Sequence, residues 1–329
     1  MSLYLLPKDI PTEVFARVPE KLRRVGGRPA WGGANRPGHD IDCFLEGPAF
    51  DKSGNLYVVN IPYGEIFKIS PSGNFSIIAE YDGWPNGMKV DEKGYLIIAD
   101  YKKGIIQINP DNGNLETIID HRWSESFRGC NDLHLASNGD IYFTDQGQTG
   151  MHDPTGRVYR YTVDGKLQLL VGNGPSPNGL VLSPDESVLY VGMTRGNAAW
   201  RVPLLPDGST SKVSIYIQLS GGHGGPDGLA MDSEGGLLIS HGGYASSLLD
   251  TAMGCAVQTI CPIGYGSTTL ELKVNLVKAI TDKVGELTIK GKVLHAGKTT
   301  ATSEATIVDA DGNLFAHSTC TCLKIKLQY

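Results

Sequence analysis

A length of 329 residues is enough for two ordinary domains or one large β-propeller, so a sizeable core is expected. The net charge of -6 offers no basic surface for nucleic acid, and no apolar run approaches the ~18 residues of a membrane span. The first thirteen residues, MSLYLLPKDIPTE, are interrupted by Pro7 and carry two charges, which makes them a poor signal peptide. We therefore expect a soluble, cytoplasmic protein without nucleic-acid or membrane partners.

The six cysteines are scattered along the chain and fit neither a zinc site nor a small disulfide scaffold. Cys320 and Cys322 flank Thr321 on a predicted strand, so both should point to one face. All six are expected to be reduced, buried thiols, because free cysteine commonly behaves as a small apolar residue.

A repeated unit fills the first 240 residues. Asn, Asp or Glu followed by Gly, Asp or Pro opens each copy, a short strand follows, and a Gly-containing turn leads to a second strand. The copies begin near residues 46, 86, 131, 178 and 227, and the first four continue into further strands. A repeat of roughly 40 to 45 residues with four strands is typical of a β-propeller blade, so we predict a mainly β fold here.

Oxygen-bearing side chains stand where the copies open. Because the innermost strands of a propeller line its channel, one side chain per blade can converge on a single point. Glu46, Asn131, Asn178 and Asp227 supply two carboxylates and two amide carbonyls, which suit a hard cation such as calcium. Asx-Gly pairs are also ordinary turn residues, but four at this spacing favour a metal site. Asn86 of the second copy is a further ligand or a channel-lining hydrogen-bond partner.

Five stretches of this region carry a family resemblance: LEGPAFDKSGNLYVVN, YDGWPNGMKVD, GCNDLHLASNGDIYFTDQGQTG, SPNGLVLSPDESVLYV and GGPDGLAMDSEGGLLISH. With them, residues 1–240 resemble the SMP-30/gluconolactonase family of six-bladed propellers. The resemblance implies a hydrolase that opens sugar or related lactones with water and uses Ca²⁺ or another divalent cation. It implies these metal ligands: Glu46, Asn131, Asn178 and Asp227. Asp227 is also implied as the base or nucleophile, and Arg128 and Asn86 as substrate contacts.

The repeat stops near residue 241, after about four and a half blades of the six-bladed type. Residues 13–16 (EVFA), which we expect to close the ring against the last blade, would lack their partner. An open propeller would expose sheet faces and edges. His39, His134 and His223 are candidates to line the channel, although ordinary polar contacts are the more common role of such residues.

A different pattern begins in the stretch 240–254, SHGGYASSLLDTAMG. From Gly243 onward, apolar residues at a helical spacing predict the only convincing helix of the chain, with Asp250 at the edge of its apolar arc. His241, Gly242 and Gly243 precede its first turn, where unpaired amides can bind a carbonyl oxygen or an anion. Four antiparallel strands are predicted at residues 268–276, 284–296, 299–309 and 314–326, in a sheet wrapped around this helix.

The motif HGGYASSLLDTAMGCA, with TTLELKVNLVKAI and GKVLHAGKTTATSEATIVDADGNLFAHSTCT, resembles the PaaI-like branch of hotdog-fold acyl-CoA thioesterases. The resemblance implies that residues 241–329 form an α+β hotdog-like segment without its first strand, since Gly235 stands where relatives usually carry Asn. The amide of Gly242 or Gly243 would hold the thioester oxygen of acyl-CoA. Asp250 would activate water or attack the thioester carbon, and His241 would assist positioning. A homo-oligomer through this segment is implied, because sites in such families lie between subunits.

Three functions therefore remain open. The first is a calcium-dependent lactonase in residues 1–240, which needs the ring geometry of its blades. The second is an acyl-CoA thioesterase in residues 241–329. The third is a chimera of two unrelated genes in which both modules are incomplete and inactive.

Overall fold

The computed structural model describes residues 14–219, 225–240, 243–278, 280 and 284–326. The chain divides into two compact units. The first, called here the repeat unit, comprises Thr12–Ile217 and Pro226–Ile239. The second, called the helix-sheet unit, comprises Met1–Pro11, Gln218–Gly225 and Ser240–Tyr329. Most regular structure in both is β-strand, which confirms the predicted mainly β fold.

The described part of the repeat unit holds antiparallel sheets whose strands follow one another in chain order. Before the first sheet lie a 3-10 turn (Glu20–Leu22) and a short helix, α1 (Ala30–Asn35); a second 3-10 turn (Ile61–Tyr63) follows its second strand. The strands of the four four-stranded sheets are β1 (Leu45–Phe50), β2 (Leu56–Asn60), β3 (Glu65–Ile69), β4 (Phe75–Glu80); β5 (Pro85–Val90), β6 (Leu96–Asp100), β7 (Gly104–Ile108), β8 (Leu115–Ile119); β11 (Cys130–Leu135), β12 (Ile141–Asp145), β13 (Gly156–Tyr161), β14 (Leu167–Gly174); β15 (Pro177–Leu182), β16 (Val188–Met193), β17 (Ala198–Pro203) and β18 (Ser214–Gln218). Two strand pairs complete this unit: β9 (His121–Arg122) with β10 (Glu125–Ser126), and β19 (Leu229–Met231) with β20 (Leu237–Ile239).

Local turn chemistry explains why the repeat forms hairpins. The Asp51 carboxylate accepts hydrogen bonds from the backbone amides of Ser53 and Asn55, both at 2.9 Å, and so closes the turn between β1 and β2. Gly54 in this turn has a φ of 80°, a left-handed conformation that favours glycine. Asp91 and Asp232 hold the corresponding turns of the second and fifth sheets in the same way.

The first strand of each sheet lies against the first strand of the next, in the order β1, β5, β11, β15, β19. The approach is close at the glycines that follow Asn86 and Asn178. At Gly87 a side chain would meet the Cα atom of Asp132 at 2.6 Å, and the amide of Gly179 donates to the carbonyl of Asp227 at 3.0 Å. Glycine is therefore required there for steric reasons, and the opening residues of neighbouring sheets are brought side by side.

Two sequence predictions for the beginning of the chain are wrong. The segment 13–16 is expected to lack a partner, but Ala16, together with the following Val18, packs against the apolar face of the first sheet, which includes Phe67. The reason is that this face would otherwise be open to water. The second error concerns α1, whose sequence Ala-Trp-Gly-Gly-Ala-Asn has too little helix propensity to stand out.

The helix-sheet unit packs α2 (Gly243–Gln258) against one four-stranded antiparallel sheet. Its strands are β21 (Tyr265–Leu276), β22 (Leu287–Ala296), β23 (Thr300–Asp309) and β24 (Leu314–Lys326), in the spatial order β21-β24-β23-β22. Ala245, Leu249, Met253 and Val257 recur every fourth residue along α2 and are buried against this sheet. The predicted helix and strands are thus present, with β21 beginning three residues earlier and β22 three residues later than expected.

The cysteines follow the prediction in part. Cys320 and Cys322 are buried on one face of β24 with their Sγ atoms 3.3 Å apart, and Cys130 is also buried. Cys255 is exposed on the outer side of α2, because it lies two positions from the buried Met253 and therefore on another face. The expectation that all six are buried is wrong for this residue, and Cys43 and Cys261 are only partly buried. None of the helices in the described residues is long and apolar enough to cross a membrane.

We expect Gly291→Ala to destabilise the helix-sheet unit. A Cβ atom at Gly291 on β22 would lie 2.1 Å from the carbonyl oxygen of Ala252, so strand and helix would have to separate. Overpacking of this kind costs about 1 to 3 kcal/mol of unfolding free energy. Gly254→Ala, in α2 with open space around the added methyl, is the control and should be neutral or stabilising. Urea unfolding of both variants measures the difference, and equal stabilities would contradict the close helix-strand contact.

Candidate functional site

The predicted ligands stand at equivalent points of the inner strands. Glu46 is the second residue of β1, Asn131 the second of β11 and Asn178 the second of β15. Asp227 lies two residues ahead of β19, and Asn86 is the second residue of β5. Since these strands lie side by side in that order, the fold brings the five positions to one end of the inner strands.

Carboxyl groups from the first, third and fifth sheets lie close enough to repel one another. The pKa of Glu46 is raised to about 7, first by burial and then by the negative charges of Asp227 and Asp132. Burial also raises the pKa of Asp132, and the charge of Asp227 adds to this effect. Partial loss of hydration raises the pKa of Asp227, although the residue as a whole is exposed to solvent. Acidic side chains from three sheets are therefore neighbours here, even though the described sheets do not close a ring.

The two predicted amide ligands are held by hydrogen bonds. The Asn178 side chain lies close enough to the Asp227 carboxylate to favour the ionised form of that acid. The Nδ2 atom of Asn131 donates to Oε1 of Gln146 at 2.8 Å, and Gln146 in turn donates to the Ser176 hydroxyl at 2.9 Å. With its nitrogen engaged, Asn131 presents its carbonyl oxygen as the atom suited to a cation.

This donor set fits a hard divalent cation. Across the described chain no three His, Cys, Asp or Glu side chains already form a metal-binding cluster, so amide oxygens would have to complete the shell. Glu46 and Asp227 supply negative charge, and Asn131 and Asn178 supply neutral oxygens, as calcium sites commonly require. A cation would also relieve the repulsion that raises the Glu46 pKa.

Sequence analysis missed Asp132 and Gln146. Asp132 follows the opening Asn131, where other copies carry glycine after the opening residue, as at Gly47, Gly87 and Gly179. An acid at a position where the other copies carry glycine is visible in the sequence and could have indicated a functional role. No signal in the sequence marks Gln146, because its contact with Asn131 depends on the pairing of β11 with β12.

Arg128 is less closely tied to this site. It precedes β11 by two residues, and its guanidinium donates to the Thr155 hydroxyl and lies 3.8 Å from the Asp153 carboxylate. These contacts hold the side chain against a neighbouring loop. Its predicted contact with substrate stays a prediction.

A second candidate site lies in the helix-sheet unit. Its Asp250, on α2, accepts a hydrogen bond from the Thr269 hydroxyl at 2.8 Å. Thr269 sits at an irregularity of β21, where the register against β24 shifts between Thr269 and Glu271. Such a bulge re-aims a side chain. His241 and Gly242 lie outside the described residues, and Gly243 begins α2.

A neutral thiol, that of Cys320, borders this second site. Cys320 Sγ lies 3.8 Å from the Thr269 hydroxyl, and burial, the hydrogen bond with Cys322 and the charge of Asp250 raise its pKa to about 12. A thiol with so high a pKa stays protonated at neutral pH and is a poor nucleophile. Asp250 stays the predicted reactive group of this cluster, and Thr269, which sequence analysis missed, donates a hydrogen bond to its carboxylate.

The raised pKa of Glu46 predicts a pH dependence of stability in cation-free buffer. The pKa is about 7 in the folded chain against 4.5 for a free glutamate, so the folded state binds the proton more tightly. The stabilising contribution of Glu46 to the free energy of unfolding is therefore complete below pH 4.5, and it is lost as the pH rises through about 7. Urea unfolding in EDTA at low and at neutral pH should show this loss for the wild type and a smaller one for Glu46→Gln. Glu116→Gln, at an exposed position, is the control, and an equal loss in all three proteins would contradict the burial of Glu46 beside like charges.

Comparison with known families assigns both parts of the sequence. A family described as the SMP-30/Gluconolactonase/LRE-like region matches residues 44–257, more than half of the chain. A family described as the thioesterase superfamily matches residues 239–316. The two matches overlap in the stretch that contains α2.

Individual relatives agree with the first of these families. The chain is 30% identical over 230 residues to lactonase drp35 of Staphylococcus aureus, which covers 66% of this chain and 69% of that protein. It is 29% identical to a gluconolactonase of Zymomonas mobilis, over 59% of this chain and 64% of that protein.

Solved structures show a related fold. A gluconolactonase of Xanthomonas campestris has a TM-score of 0.54 at 19% identity, covering 87% of this chain and 86% of that one. A calcium-binding protein, regucalcin, from Agrobacterium tumefaciens has a TM-score of 0.50 at 19% identity, covering 87% and 92% of the two chains. With the family match over residues 44–257 and the relative at 30% identity, the chain belongs to the SMP-30/gluconolactonase/LRE-like family.

Proposed function

We propose that the chain is a hydrolase that opens a lactone ring with water and uses Ca²⁺ or another divalent cation held by Glu46, Asn131, Asn178 and Asp227. The observation that carries this proposal is the position of these four residues at one end of inner strands that contact one another, where the carboxyl groups of Glu46, Asp132 and Asp227 also repel one another. The relatives named as lactonase and gluconolactonase support the lactone substrate, and regucalcin is described as calcium-binding.

We further propose an architecture for the two units. The four four-stranded sheets and the pair β19-β20 correspond to about four and a half blades of a six-bladed-type propeller, spanning residues 1–240. The helix and sheet of residues 241–329 correspond to a hotdog-like segment that lacks its first strand. The order of strands and the contacts between the first strands of successive sheets support the first assignment.

The proposed chemistry assigns a role to each side chain of the repeat-unit site. A bound cation would polarise the lactone carbonyl as a Lewis acid. Asp227 takes a proton from the attacking water; partial burial raises the pKa of this carboxylate, which strengthens it as a base, and the neighbouring Asn178 side chain opposes that shift. The water oxygen bonds to the carbonyl carbon, the ring C–O bond breaks, and the ring oxygen leaves as an alcohol after taking up the proton. The product is a hydroxy acid.

Removal of the cation tests this proposal. We expect the purified chain to hydrolyse gluconolactone or a simple γ-lactone, measured by acid release at constant pH. Dialysis against EDTA should lower the rate on the order of 100-fold or more, because Lewis-acid polarisation contributes several kcal/mol, and calcium should restore it. Hydrolysis that is unchanged by EDTA would exclude a cation-dependent mechanism.

A second activity is proposed for the helix-sheet unit. The hydrogen bond between Thr269 and Asp250, together with the thioesterase match over residues 239–316, favours hydrolysis of an acyl-CoA thioester. Asp250 is the base or nucleophile in this proposal. The amide of Gly242 or Gly243 and the His241 side chain are proposed to hold the thioester oxygen and to position the reactants. Sites of this kind require a second copy of the unit, so a homo-oligomer belongs to the same proposal.

A further inference from the structure

A buried hydroxyl near the end of β12 ties together the two strands that carry the predicted amide ligands. The Oγ1 atom of Thr144 accepts the backbone amide of Asp132 at 3.1 Å and donates to the backbone carbonyl of Asn178 at 2.9 Å. Asp132 follows the ligand Asn131 on β11, and Asn178 is itself a ligand on β15. Thr144 therefore holds the backbones of both strands together at the level of the proposed cation site.

Gln146, two residues after Thr144, connects a ligand side chain of β11 to the segment that enters β15. Its Oε1 atom accepts from Nδ2 of Asn131 at 2.8 Å, and its Nε2 atom donates to the hydroxyl of Ser176 at 2.9 Å. Ser176 lies two residues ahead of the ligand Asn178. As long as Gln146 presents its oxygen to Asn131, the carbonyl oxygen of Asn131 faces away from Gln146 and stays available to a cation.

The Ser176 end of this connection is held by a closed set of hydrogen bonds. The backbone amide of Ser176 donates to Oγ1 of Thr149 at 3.2 Å and is shared with the carbonyl of Gly174 at 3.0 Å. The Thr149 hydroxyl donates to the backbone carbonyl of Gln146 at 2.6 Å. Ser176 and Thr149 are both buried. The set returns to Gln146, so its backbone and its side-chain partner are fixed together.

Ser176 has a backbone conformation that is unfavourable for serine. Its φ is 63°, in the left-handed region that glycine adopts without steric cost. Pro177 follows, and a residue before proline is further restricted to extended conformations. Glycine would fit this backbone better, but it would lack the hydroxyl that Gln146 contacts. Strain that is kept in this way is typical of residues with a functional constraint.

We propose that Gln146 and Ser176 are positioning residues of the cation site: their hydrogen bond sets the orientation of the Asn131 amide and joins it to the strand of Asn178. This inference rests on the proposed function, because it concerns the same ligands. The two carboxylate ligands repel one another without a cation, so the two amides form the part of the site that is set in advance. Loss of such supporting contacts lowers metal affinity by about 10- to 100-fold.

Calcium titration of the full, EDTA-treated chain by calorimetry tests the positioning role. Gln146→Met keeps the length of the side chain but removes both hydrogen bonds, so we expect about 10- to 100-fold weaker calcium binding than in the wild type. Gln148→Met, at an exposed position two residues further along, is the control and should bind as the wild type does.

Two variants of Ser176 separate positioning from stability. Ser176→Ala and Ser176→Gly both lack the hydroxyl, but only alanine keeps the strain of the left-handed backbone. We therefore expect Ser176→Gly to resist urea better than Ser176→Ala, while both bind calcium about tenfold more weakly than the wild type. Calcium affinity that follows stability, and is higher in the glycine than in the alanine variant, would overturn the positioning role in favour of a structural one.

The side-chain amide of Asn131 gives a readout that needs no cation. In the EDTA-treated chain its NMR signal, assigned by its loss in Asn131→Asp, should shift in Gln146→Met because its hydrogen bond is gone. An unchanged signal, or equal calcium affinity of Gln146→Met and the wild type, would overturn the positioning role and leave the cation site intact. A wild type that binds no calcium would overturn the cation site and the positioning role together, so the two failures are distinguishable.

Discussion

Replacing Asp227 with Ala is expected to abolish lactone hydrolysis and to leave thioester hydrolysis unchanged. Asp227 is proposed both as a cation ligand and as the base, so the substitution removes two contributions at once. Loss of a general base alone lowers kcat by roughly 10² to 10⁴-fold, and the combined loss should reach at least the upper part of this range. Initial rates with a lactone and with an acyl-CoA measure both activities on the same preparation.

Two further variants make this result specific. Asp227→Asn keeps an oxygen ligand but cannot take up a proton, so it should retain weakened calcium binding and still lack lactone hydrolysis. Asp111→Ala, at an exposed turn, is the matched control and should behave as the wild type. Lactone hydrolysis that persists in Asp227→Ala would refute the proposed role of this carboxylate.

Replacing Asp250 with Ala should have the opposite effect. Thioester hydrolysis should fall by roughly 10² to 10⁴-fold because the base or nucleophile is lost, while lactone hydrolysis continues. Thr269→Val removes the hydroxyl that donates to Asp250 at 2.8 Å and should cause a smaller loss, about tenfold, in kcat with little change in KM. Release of free CoA, followed with a thiol reagent, is the measurement. If either aspartate substitution removed both activities, the account of two independent sites would be wrong.

Much of the fold could be predicted because its signals are local. Asp51 and Gly54 determine one hairpin turn through contacts within five residues, and the same chemistry recurs at Asp91 and Asp232 in the second and fifth sheets. The apolar period of α2 likewise predicted the face that Leu249 and Met253 bury. Features of this kind are encoded in neighbouring residues, so sequence patterns are sufficient to find them.

The parts that sequence reasoning missed depend on contacts between distant segments. Thr269 meets Asp250 only because a bulge in β21 lies beside α2, and Gln146 meets Asn131 through the pairing of two strands. The packing of Ala16 on the first sheet is likewise a long-range contact with no local signal. Asp132 is different, because an acid in place of the repeated glycine was visible in the sequence.

Calcium titration by calorimetry on the purified, EDTA-treated chain tests the central claim most directly. The proposed convergence of Glu46, Asn131, Asn178 and Asp227 predicts saturable binding of one calcium ion per chain, a higher Tm in its presence, and loss of both effects in Asp227→Ala. Binding that is absent, or that is the same in Asp227→Ala as in the wild type, would show that these four side chains do not form a cation site.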